Sequence, residues 1–328
     1  MKKIDAHLHL VRSLAGLNGQ GRLTPLGNGR AIWDSGQVIK LIPDGWGDDQ
    51  FLAESALKVM DENGIDKAVL LQGSLNGYQN YYSWQVAKHY PHRFMTSFSV
   101  DPFMDHAMTI VKRYVGQLGV RVMKFEISQG GGLHGYHQAF RLDLTPECGQ
   151  IFHYLSDFPG SVVVVDYGSS DQVSYQPEAI TNLARTYSQL DFVVCHLSFP
   201  NCDHLDRLAN AFQQWKGLPN VYTDLSAIQD IEGEQGDERS TFPRCQKDVK
   251  LALQILGSQH LIWGTDSPWS ATFNSYHHLT TWLQQCNWLT SDELADIMFK
   301  NAERVYFKKK NVAVLTEATD PVQNKFGD

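Results

Sequence analysis

Eight times along this chain, a short run of mostly β-branched and apolar residues is followed by a stretch with helical periodicity. The runs occupy residues 4–9, 66–71, 94–100, 120–125, 161–166, 191–196, 221–225 and 260–266. Near-continuous Val/Ile/Leu character suits strands covered on both faces, as in parallel sheets. Among the intervening stretches, 51–63, 83–89, 106–117, 177–188 and 248–256 repeat apolar residues at three and four positions, the pattern of a helix with one buried side. Eight such alternations predict an α/β chain closed into a (β/α)₈ TIM barrel. A doubly wound open sheet is the alternative. It would normally bring a glycine-rich phosphate turn after an early strand, and none is found.

With 328 residues, 42% of them hydrophobic and 20% charged, the chain has the material for one large core. We expect a single barrel domain over 1–307 and a polar tail over 308–328. An insertion at about 10–49 follows the first strand directly, which puts it on the catalytic face of a barrel. It is rich in glycine and carries Arg12, Arg30, Trp33 and Trp46, so a substrate-binding loop or lid is expected; an excursion without function is the alternative. The net charge of −8 argues against nucleic-acid or anionic-membrane partners, and no apolar run approaches the roughly 20 residues of a membrane span. Five scattered cysteines without a C-x-x-C pair make a poor disulfide framework. Together with a start that lacks a signal-peptide pattern, they suggest a cytoplasmic protein.

In such barrels the chemistry sits at the C-terminal ends of the strands. His7 and His9 stand two apart on the first run, so both imidazoles face one way and can chelate one divalent ion. Asp5 shares their parity and is expected deeper, orienting a ligand. His196 ends the sixth run and Asp266 the eighth. A titratable group at the end of an apolar strand is costly unless solvated, paired or metal-bound, and their convergence on one end of a barrel suggests a catalytic site.

The segments Asp5-Ala6-His7-Leu8-His9, Val193-Val194-Cys195-His196-Leu197 and Trp263-Gly264-Thr265-Asp266-Ser267-Pro268-Trp269 resemble the signatures of the amidohydrolase superfamily. The similarity is to the branch holding aminocarboxymuconate-semialdehyde decarboxylase, the dihydroxybenzoate decarboxylases and pyrone-dicarboxylate lactonase. Residues 60–69, 92–94, 100–102 and 300–306 support it, and the match runs from about residue 3 to 307. The resemblance implies a (β/α)₈ barrel of the metal-dependent hydrolase type. It implies one divalent metal ion, zinc first and manganese as the alternative, held by His7, His9 and Asp266. His196 takes the position that contacts substrate or the metal's water.

Where that family carries a fifth-strand histidine, this chain has Asp166, expected as a further, oxygen-donating ligand. Such a harder set makes manganese more plausible. Lys124 is in the position where some members carry a carboxylated lysine bridging two metals; here a substrate-facing or structural role is expected. Arg12, Tyr167 and Trp269 are substrate-binding candidates, Glu126, His134 and His137 weaker ones. Relatives often pair, which makes a homodimer an open expectation.

The resulting expectation is a hydrolase of a small carboxylate-bearing lactone, ester or amide acting through a metal-activated water. Asp266 would take the proton from that water and return it to the leaving group, and His196 would stabilise the developing oxyanion. Two alternatives use the same residues: a non-oxidative decarboxylase of an aromatic or muconate-type acid, and a barrel that has lost catalysis and only binds.

Overall fold

A computed structural model describes residues 1–307, so the expected tail at 308–328 lies outside the described residues. Each of the eight runs overlaps a strand of one parallel sheet. These strands are β1 (Ile4–Leu8), β6 (Lys67–Leu70), β7 (Phe94–Phe98), β8 (Val122–Glu126), β9 (Val162–Asp166), β10 (Asp191–Val194), β11 (Val221–Asp224) and β12 (Leu261–Ile262). They pair in sequence order from β1 to β12, through β6. The gap between the first and last strands is bridged just past β12. Ala6 N donates to Trp263 O (3.2 Å), Asp266 N to His7 O (2.8 Å) and His9 N to Ser267 O (2.8 Å). The result is a nearly closed (β/α)₈ barrel, wrapped by helices that include Ala53–Glu62, Asn80–His89, Pro146–Ser156, Pro177–Thr186, Leu205–Trp215 and Pro243–Leu256.

Strand alternation sorts the side chains into two cores. Val162 and Val164 of β9 join an inner cluster with Ile4, Val69, Val122 and Val193, whereas Val163 and Val165 face the helices among Phe125, Phe152 and Phe192. The same alternation brings Lys124, Glu126 and Asp166 to the interior where β8 and β9 end, and turns Tyr167 outward into the helix-facing core.

One close approach holds the seam. A β-carbon on Gly264 would lie 2.8 Å from His7 Cβ and 2.9 Å from His7 N. Gly264→Ala is therefore expected to push β1 aside and lower the free energy of unfolding by about 1–3 kcal/mol, the usual cost of overpacking. Denaturant titration reads this directly, and an unchanged midpoint would show that the seam yields freely.

The insertion is not a loop. It folds into a four-stranded antiparallel sheet of β2 (Leu17–Asn18), β3 (Gly21–Gly27), β4 (Arg30–Trp33) and β5 (Val38–Lys40). β3 and β4 are joined by Asn28-Gly29, with φ of +55° and +70°, values a two-residue hairpin turn of type I′ demands. Beyond β5, Leu41 reaches the barrel mouth, and Trp46 stacks on Phe51 at 5.0 Å between centroids. Among the described residues, no helix is long and apolar enough to cross a membrane.

Candidate metal-dependent active site

β1 brings His7 and His9 to the mouth of the barrel, but not in simple alternation with Asp5. The pairing of β1 with β6 shifts register between Asp5 and Leu8. Asp5 consequently departs from the expected parity and faces the segment after β12. It accepts from Thr265 Oγ1 (2.6 Å), Thr265 N (3.0 Å) and Tyr276 OH (2.9 Å). Its link to the histidines runs through the backbone, where His7 N donates to Oδ1 (3.1 Å).

Hydrogen bonds fix the proton on each imidazole. His7 Nδ1 is 3.0 Å from Asp224 Oδ2, and His9 Nδ1 is 3.0 Å from Leu71 O. A carboxylate and a carbonyl only accept, so both Nδ1 atoms donate and each neutral ring presents its Nε2 lone pair. Burial pushes His7 down to about 4, which keeps it neutral near pH 7. The two Nε2 atoms converge on Asp266 Oδ1, at 3.3 Å from His7 and 2.9 Å from His9.

Lone pair therefore faces lone pair, and a cation belongs between them. The separations also suit donors about 2.0–2.2 Å from one shared ion. Among the described residues, the groups whose donor atoms all lie within 4.8 Å of one another are His7–His9–Asp266 and His7–Cys195–His196. Burial pushes the Cys195 thiol well above its usual value, which leaves it a protonated, poor ligand. His7, His9 and Asp266 fit a divalent ion.

Asp166 belongs to neither group. Its Oδ2 lies 3.4 Å from His196 Nε2, and Oδ1 accepts from Gly168 N (3.0 Å). The structure thus places it as the partner of His196 rather than with the β1 histidines, because β9 and β10 are neighbours and β1 is across the barrel. His196 sits on a turn in which four successive residues, His196 to Phe199, have φ of +51° to +63°. Such left-handed conformations are disfavoured for residues with a β-carbon and persist where the surroundings impose them. Here His196 N donates to Asp224 Oδ1 (2.9 Å) and Nδ1 to Ser226 O (3.0 Å). Burial would lower the imidazole, but Asp166 outweighs it and raises His196 to about 10.

Asp224 was not singled out from sequence, yet it ties the site together. Besides His7 and His196 it accepts from Ser226 Oγ (2.5 Å) and Ser226 N (3.1 Å). Burial would raise its carboxyl; these donors overcome that and bring it down to about 2. Its signal was available, since it ends the seventh strand just as Asp266 follows the eighth.

Above these groups opens a cavity of about 450 Å³, lined among others by His9, Lys124, Asp166, His196, Asp266 and Trp269. Lys124 is 3.2 Å from Glu126 Oε2 and 3.4 Å from His7 Nε2. Burial alone would lower its ammonium, but Glu126, Asp166 and Asp266 keep it charged. Two expected substrate contacts lie elsewhere. Arg12 is exposed, with its guanidinium 5.6 Å from the Tyr82 ring centre. Tyr167, one residue beyond Asp166, points away from the cavity and shares a 2.6 Å hydrogen bond with Ser198 Oγ. His137 is bound to Asp101 (2.7 Å), and His134 accepts from Phe140 N (3.4 Å); neither lines the cavity.

A family model described as amidohydrolase matches residues 4–308. The chain belongs to the amidohydrolase family. Solved structures similar to this amidohydrolase include a probable 2-pyrone-4,6-dicarboxylic acid hydrolase from Acinetobacter baumannii with citric acid bound, 15% identical, with a TM-score of 0.65 over 93% of this chain and 99% of that one. A zinc-bound amidohydrolase from Burkholderia multivorans is 16% identical, with a TM-score of 0.65 over 93% and 99%. A 2,6-dihydroxybenzoate decarboxylase from Rhizobium is 14% identical, with a TM-score of 0.55 over 77% and 88%. At these identities the likeness is one of fold, and it spans hydrolase and decarboxylase alike. No curated protein matches the sequence.

Proposed function

We propose that this amidohydrolase is a metal-dependent hydrolase of a small lactone, ester or amide. The observation that carries the reading is the convergence of two Nε2 lone pairs on the Asp266 carboxylate at the floor of the cavity. A divalent ion held by His7, His9 and Asp266 supplies Lewis acidity that makes water a nucleophile near neutral pH.

The chain's own groups do the rest. Asp266, held ionised, accepts the proton of the attacking water and passes it to the leaving oxygen or nitrogen. His196, charged and anchored by Asp166 and Ser226, donates from Nε2 to the oxygen on which negative charge develops. Lys124, pinned by Glu126, faces the His7 Nε2 edge from the other side and opposes protonation of that ring.

The test begins with metal content. Protein purified without chelator or metal-affinity tag is expected to carry about one equivalent of zinc, or of manganese, in a site of this donor type. His7→Ala and His9→Ala should each lose it. The metal-loaded enzyme is then offered lactones, esters and amides, with hydroxybenzoates assayed in parallel for carbon dioxide. Carbon dioxide without hydrolysis would replace this reading with decarboxylation; an inability to bind any divalent ion would remove both.

A further inference from the structure

Two imidazoles of the site lean on one hydroxyl. Ser226 follows β11 and is fully buried. Its Oγ lies 2.9 Å from His7 Nδ1 and 2.9 Å from His196 Nδ1. Both nitrogens carry hydrogens, because each also faces an oxygen that only accepts: Asp224 Oδ2 for His7 and Ser226 O for His196, both at 3.0 Å. Ser226 Oγ therefore receives two N–H groups on its two lone pairs, and its own proton goes to Asp224 Oδ1 at 2.5 Å.

The shared oxygen registers one ring against the other. The imidazoles of His7 and His196 are stacked, with 5.0 Å between centroids and 28° between planes, and both turn Nδ1 to the serine. Their Nε2 atoms accordingly face Asp266 and Asp166, which line the cavity. Neither ring needs the hydroxyl to keep its proton on Nδ1, since Asp224 and the Ser226 carbonyl remain as acceptors. What the hydroxyl adds is orientation. One acceptor lets a ring tilt about a single hydrogen bond, whereas two hold its plane.

We propose that Ser226 is a positioning residue whose hydroxyl sets the angle between the ion-binding imidazole of His7 and the oxyanion-stabilising imidazole of His196. This rests on the hydrolase reading for what His196 does, but the shared oxygen is a property of the folded chain alone. In that reaction the attacking water and the oxygen that gains charge end on one carbon. The groups that hold them must therefore keep a fixed spacing, and a displacement of about 1 Å is enough to cost about 100-fold in rate. Ser226 acts on turnover through this geometry and leaves the ion in place.

The geometry is read first in the ion-free wild type, by NMR with isotope-labelled histidine; loss of one signal at a time in His7→Gln and His196→Gln assigns the rings. Two N–H protons aimed at one oxygen lie roughly 3 Å apart, so a cross-relaxation peak between the two Nδ1–H groups is expected. Its absence overturns the proposal. Zinc-loaded Ser226→Ala is then compared with zinc-loaded wild type. Zinc affinity should change by less than about threefold because Asp224 still accepts from His7 Nδ1, while kcat falls about 10–100-fold with KM little moved. Loss of zinc, loss of fold or unchanged turnover in Ser226→Ala overturns the proposal as well. Should the wild type hydrolyse none of the lactones, esters and amides, the hydrolase reading fails, and the cross-peak still decides whether the two rings share this oxygen.

Discussion

Asp266→Asn is expected to lose two to four orders of magnitude in turnover, the usual contribution of a positioned general base, while the protein keeps its fold. The substitution is informative because of the backbone. Asp266 has φ of +63°, a left-handed conformation that asparagine tolerates almost as readily as aspartate. The amide also retains an oxygen toward His7 and His9, so packing is nearly unchanged. What is lost is a carboxylate held ionised in a buried setting and able to receive a proton. Asp266→Ala is a poorer test, since alanine in this conformation adds roughly 1–2 kcal/mol of backbone strain to the chemical defect. Denaturant unfolding beside steady-state rates separates the two effects. Near-normal turnover by a folded, metal-loaded Asp266→Asn enzyme would move the proton acceptor to another residue.

Asp224→Ala should damage both stability and metal affinity. The aspartate receives donors from His7, His196 and Ser226, all buried; its removal leaves the backbone N–H groups of His196 and Ser226 unmet and His7 Nδ1 with Ser226 Oγ (2.9 Å) alone. A loss of about 3 kcal/mol or more is expected, since each abandoned buried donor costs roughly 1–3 kcal/mol and the costs overlap. His7 also loses the acceptor that keeps its proton on Nδ1, which should weaken metal binding by about 10–100-fold. Asp224→Asn divides these effects. It preserves most of the packing but turns an amide N–H₂ or a weaker oxygen toward His7, so metal affinity should suffer more than stability.

The pH dependence has a definite sign. A carboxyl depressed from the ordinary aspartate value to about 2 contributes stability that is complete above the ordinary value and lost as pH falls through about 2. The stability gap between wild type and Asp224→Ala should therefore shrink from about pH 4 downward, by of order 2 kcal/mol. A gap independent of pH over that window would mean that Asp224 stabilises by shape alone.

Much of this architecture was legible because both faces of each barrel strand are covered, so every strand announces itself as an apolar run. His7, His9 and Asp266 were legible for the complementary reason that charged groups end such runs. The misreadings have local causes. Asp5 was assigned by strict alternation, which the register shift within β1 breaks. Tyr167 was placed by proximity to Asp166, although neighbours on a strand face opposite ways. Arg12 lies in an insertion whose path the barrel rhythm does not determine. That insertion did carry a signal, the Asn28-Gly29 pair of a tight hairpin, outweighed by its glycine-rich look.

The seam between β1 and the segment after β12 gives the protein a temporal order. The three groups proposed to share an ion come from residues 7, 9 and 266, and the backbone bonds that fix their spacing are those that complete the ring. During synthesis, the histidines emerge with the first barrel strand and wait for nearly the whole barrel before their carboxylate partner exists. No partial chain ending before residue 266 contains the site. Catalytic competence thus arrives only with the last barrel segment, so the same stitch that finishes the fold also certifies it.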